Sequence, residues 1–68
     1  MFVIMHQLYG EVKNLATAEH LSDAKWFVDK EIGQQIKTDQ WQKNDSDQWV
    51  VQITEAQSYI IEALKHIS

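Results

Sequence analysis

Sixty-eight residues make one domain, residues 1–68, with a single small core, since a chain of this size buries only about 60% of its unfolded surface. The absence of cysteine excludes disulfides, thiolate catalysis and Cys-based zinc sites, and leaves self-association as one remaining source of stability. Ten acidic residues against six lysines, with no arginine and a net charge of −4, weigh against direct nucleic-acid binding. Arginine supplies the bidentate contacts to phosphate and guanine, and the lysines are scattered singly rather than along a stripe.

The chain opens on "MFVIMHQL". Its apolar run is four residues long, lacks a basic flank and a small-residue cleavage pattern, and is far short of the ~20 residues of a membrane span. It reads as a buried strand. "YG" follows as a turn, and "EVKNLATA" alternates loosely, so residues 2–8 and 11–17 are expected to pair as a hairpin. Tyr-Gly is weaker turn chemistry than Asn-Gly, which leaves the register open by one residue.

In "HLSDAKWFVDKEIG", Leu21, Ala24, Val28 and Ile32 recur at helical spacing with Phe27 on the flank. Asp23 falls in the first turn, where the helix dipole favours an anion, and Gly33 follows the last apolar residue as a stop. Thr17, His20 or Ser22 could serve as the cap.

"KTDQWQK" and "QWVVQI" flank an Asn/Asp/Ser turn and form a second expected hairpin, with Trp49, Val51 and Ile53 on one face. A three-residue loop over Asn44 to Ser46 sets Trp41 opposite Trp49 and Lys43 opposite Asp47. A two- or four-residue loop moves Trp41 to the other face, opposite Val50. The odd loop is favoured because it buries both indoles over the helix.

The tail "TEAQSYIIEALKHIS" supports two readings. Ala56, Tyr59, Ile60, Ala63, Leu64 and Ile67 share a helical face, with Thr54 and Gln57 in a capping-box pattern. Tyr and Ile also favour strands, and "SYIIEAL" fits a final strand. The helix is preferred. The expected class is therefore α+β: a small antiparallel sheet of order β-β-α-β-β, one central helix, and a C-terminal helix or fifth strand.

No constellation for chemistry emerges. His6, His20 and His66 form no His-x-x-x-His pair, so no metal site is expected. "NDSD", residues 44–47, has the oxygen ligands of a cation loop but lacks the glycine and distal glutamate of a calcium-binding helix–loop–helix, and these are also turn-forming residues. No serine lies in a nucleophile motif, and two glycines 23 positions apart cannot cradle a phosphate. No cofactor is expected, and the chain reads as a non-enzyme. Trp26 stands out: at 100° per residue it points roughly 160° from the apolar stripe. Either another part of the chain covers it, or it anchors a partner, with Lys25, Asp29 and Lys30 as a polar rim.

The stretch "LATAEHLSDAKWFVDKEIG", followed by "DQWVV" and "SYIIEAL", resembles small uncharacterised phage and prophage proteins of Gram-positive bacteria. The matching positions are Ala18, Leu21, Ala24, Lys25, Phe27, Val28 and Asp29. The resemblance implies a strand at "YIIEAL", a bacterial cytoplasm and an accessory role, and it brings no catalytic residues. The expected function is a small protein–protein interaction or accessory domain, binding a protein partner or a second copy through Trp26 or a free sheet edge. The alternative is an acidic inhibitor that blocks the basic groove of a nucleic-acid enzyme. A third reading has Trp41 and Trp49 as stacking platforms for nucleic acid.

Overall fold

A computed structural model describes residues 1–64. Strands β1 (Phe2–Leu8) and β2 (Glu11–Ala18) precede helix α1 (Leu21–Ile32). A single 3-10 turn, Thr38–Gln40, then leads to β3 (Gln42–Lys43), β4 (Gln48–Thr54) and β5 (Gln57–Ala63). All neighbouring strands are antiparallel, in the order β2-β1-β5-β4-β3. No helix of the described residues is long and apolar enough to cross a membrane.

Strand 48% and helix 23% of the described residues make the chain mostly β. That overturns the expected α+β class and its β-β-α-β-β order. The preferred C-terminal helix is also corrected, because residues 57–63 form β5. Ile67, the last member of the proposed helical face, and His66 lie outside the described residues. The physical reason lies in the position of β5, which pairs with β1 on one side and β4 on the other. In that central position Tyr59 and Ile61 are buried on the helix side and Ile60 is half-buried on the other face, so "YII" is a continuous apolar run that fits a helical stripe as well as a strand. Thr54 and Gln57 pair across the tight turn to β5 rather than capping a helix. The Thr54 hydroxyl accepts the Ala56 N–H at 3.3 Å, and Gln52 Nε2 donates to the carbonyls of Thr54 and Gln57.

The first hairpin forms as expected, and the register that the sequence left open is set by Leu8 facing Glu11 across a two-residue turn. Tyr9 and Gly10 both have positive φ, 52° and 84°, the type I′ geometry whose twist matches the flanking strands. A register shift opposite Ile4 and Met5 leaves Leu15 as the extra residue of β2. This bulge, with Lys13 beside it, blunts the outer edge of the sheet. The apolar "FVIM" segment lies in β1, which β2 and β5 flank on both sides.

The second hairpin keeps an odd loop but shifts it by one residue. Gln42 pairs with Val50 and Lys43 with Trp49, and Asn44 N–H donates to the Gln48 carbonyl at 2.9 Å. The loop is therefore 45–47, closed by Asp47 at φ 57°, the left-handed residue that follows a type I turn in three-residue hairpins. The Asn44 side-chain carbonyl accepts the N–H groups of Ser46 and Gln48 at 2.9 and 3.0 Å. That Asx bonding favours starting the turn one residue later than expected. Trp41 and Trp49 share a face, but they are not directly opposite. Lys43 sits opposite Trp49 and still reaches Asp47 at 3.4 Å.

Helix α1 covers one face of the sheet. Its buried Ala24 and Val28 meet Ile4, Val51, Tyr59 and Ile61, joined by Ile36 and Trp41 from the segment after the helix. Ala16 and Ala18 of β2 pack at the margin, where small side chains let the helix approach the strand. Phe2 meets Trp49 edge to face, ring centroids 6.0 Å apart. His20 is the N-cap, but its side chain makes no capping hydrogen bond. Gly33 ends the helix at φ 75°, its N–H on the Asp29 carbonyl, in the left-handed conformation that glycine adopts without a Cβ clash.

Candidate functional site

Trp26 lies on the outer face of α1, 61% exposed. The spacing that buries Ala24 and Val28 drives Trp26 outward, since two residues along a helix are separated by about 200°. Lys30, one turn later, places its ammonium 4.7 Å from the indole centroid. A cation over an exposed ring contributes about 0.5–1 kcal/mol and holds the indole in one orientation.

Below the indole is a shallow hollow of about 520 Å³, lined by Trp26, Asp29, Lys30, Gly33, Gln34 and Gln35. The helix end builds it. The N–H groups of Gly33 and Gln34 both donate to the Asp29 carbonyl, at 3.0 and 3.2 Å, which folds the chain back along the last turn. Asp29 Oδ1 accepts the Ile36 N–H at 3.0 Å and so fixes where Ile36 enters the core. Asp29 therefore shapes the hollow as well as bordering it.

Of the four residues proposed from the sequence, Trp26, Asp29 and Lys30 come together. Lys25 does not join them, and this part of the proposed rim is corrected. Its ammonium lies 5.9 Å from the ring of Trp41, on the flank of the helix that faces the second hairpin, because one residue step rotates a side chain by about 100°. Sequence reasoning missed Gly33, Gln34 and Gln35. The stop at Gly33 was readable, but the path of the chain after it depends on the Asp29–Ile36 bond, which no local pattern announces.

The other sequence candidates have structural places. Trp41 is 8% exposed, and Trp49 is half-buried between Phe2 and Lys43, whose ammonium is 5.1 Å from its ring. Trp41 thus offers no open face to a nucleic-acid base. His6 stacks on Tyr59, centroids 4.7 Å apart and planes at 26°. Its buried Nε2 has no hydrogen-bond partner among the described residues. Burial raises the Tyr59 phenol above its ordinary value of 10.0, and the charge of Glu31 acts the same way, while a hydrogen bond with Gln57 opposes them. Residues 44–47 form the hairpin turn. Among the described residues, no group of three or more His, Asp or Glu side chains is placed to hold a metal ion. Comparisons with protein-family models, with curated proteins and with solved structures find no match to the chain.

Proposed function

We propose that this chain is a small non-enzymatic interaction or accessory domain that binds a protein partner through the outer face of its helix. The single observation behind this reading is Trp26, a large indole 61% exposed on a helix whose other apolar residues face the sheet. Burying such a ring against a partner removes 150–250 Å² of mostly apolar surface at small entropic cost, which is why tryptophan is enriched among interface anchors. Lys30 and Asp29 supply charges of both signs at its border. The resemblance to phage-type proteins adds a bacterial cytoplasmic setting to the proposal.

The test is capture from lysate of the source organism, with wild type and Trp26→Ala as baits, both first shown to be folded by amide proton dispersion. The expected result is a partner retained by wild type at moderate salt. Its affinity for purified Trp26→Ala should fall about 30-fold or more, the loss of an anchor worth at least ~2 kcal/mol. Equal capture by both baits would remove Trp26 from the interface. Capture of a basic enzyme that salt abolishes and Trp26→Ala leaves intact would replace this reading with the acidic inhibitor.

A further inference from the structure

The sheet has two faces and the helix covers one. The strand register fixes what the other presents. Along its middle, Asn14, Met5, Ile60, Val50 and Gln42 follow one another across all five strands. Val3 lies on one side of this row, between Thr17 and Glu62; Gln7, Ser58 and Gln52 lie on the other. No described element packs over this face.

We propose that this open face is the contact surface for a second copy of the chain, the two sheets packed face to face about a twofold axis. This goes beyond the partner site at Trp26, which lies on the far side of the helix and stays exposed in such a dimer. Charge is the first argument. Of the charged residues in the described strands, Glu62 alone registers on this face; Glu11, Lys13 and Lys43 fall on the helix side. Depletion of charge at the centre is what separates interface cores from ordinary surface. It also keeps the other strand charges of two chains of net charge −4 off the seam, with Glu55 at its border beside Gln7, Gln52 and Ser58. A strongly charged partner would find almost nothing here to pair with.

Polar satisfaction is the second argument. Gln48 Nε2 donates to Glu62 Oε1 at 3.3 Å, and Ser58 Oγ donates to Gln7 Oε1 at 3.4 Å. These groups already bond laterally within the sheet, which lowers the cost of taking them out of water. Symmetry is the third. The row is polar at both ends and apolar in the middle, so a twofold rotation sets Met5, Ile60 and Val50 against their counterparts and amides against amides, as an isologous contact requires.

Size permits it. The four long strands present a face of roughly 19 by 23 Å at ordinary strand spacing and rise. Two such faces remove roughly 900 Å² before side-chain relief is counted, near the ~1,000 Å² that a specific interface needs.

Sedimentation equilibrium tests the proposal. Wild type should approach twice the 8.0 kDa chain mass, while Met5→Glu, confirmed folded by amide dispersion, should associate at least about 30-fold more weakly because it buries a charge on each side of the seam. Trp26→Ala should remain dimeric, so loss of the Trp26 site and loss of the dimer read out separately. Should Met5→Glu fail to fold, methyl spectra of wild type on dilution decide: Met5, Val50 and Ile60 should shift, and Val28 and Val51 should not. A wild-type monomer at about 1 mM overturns the proposal. So does a dimer that Met5→Glu leaves intact, or dilution shifts confined to the helix side.

Discussion

Tyr9 holds φ at 52° at the tip of the first hairpin while its ring is 83% exposed. A bulky residue in the left-handed region costs roughly 1–2 kcal/mol, and asparagine tolerates it far better. Tyr9→Asn should therefore stabilise the fold by about 1 kcal/mol, read as a higher urea midpoint with unchanged slope. An unchanged midpoint would mean that the ring contributes packing at the turn equal to the strain. Tyr59 gives a second prediction. Below pH 10 both folded and unfolded chains keep its proton. As pH rises from there through the elevated folded value, the unfolded chain releases it first, so stability falls. Urea titrations on either side of pH 10 should show this loss in wild type and a flatter limb in Tyr59→Phe; equal slopes would refute the assignment. The outward direction of Trp26 was legible in the sequence because helix geometry alone sets it. Lys25 was misplaced because its ring partner, Trp41, is sixteen residues away in sequence and arrives only through the loop that Asp29 anchors.

Among the elements, the second hairpin shows how parity and register separate. The alternation of Trp49, Val51 and Ile53 established a two-residue period, so the shared face of Trp41 and Trp49 followed from any odd loop. The one-residue shift of the loop turned on the Asn44 side chain, which bonds Ser46 and Gln48 in competition with other turns of the same length. Trp41 and Trp26 differ in role, and truncation separates them. Trp41→Ala should cost roughly 3–5 kcal/mol as a core deletion, whereas Trp26→Ala should cost less than about 1 kcal/mol. Chemical denaturation of both variants checks the contrast, and similar losses would contradict the burial difference. β5 was the least legible element. Its apolar run satisfies both periodicities, and only the strands on either side of it decide between them.

For the molecule as a whole, one helix on one face of a five-stranded sheet leaves a single thin core and a second face with an apolar centre. If the sheets pair, stability becomes linked to concentration. The thermal midpoint of wild type should then rise with protein concentration and that of Met5→Glu should not. The sequence by itself determined the first hairpin, the helix with its stop at Gly33, the common face of Trp41 and Trp49, and the outward course of Trp26. Each depends on local geometry: a turn, a periodicity, a residue angle. Tertiary structure alone decided that residues 57–63 are a central strand, that Lys25 leaves the Trp26 rim for Trp41, and that charge is nearly absent from the open face. Those outcomes depend on which strands become neighbours, and a strand's partners lie far from it in the chain.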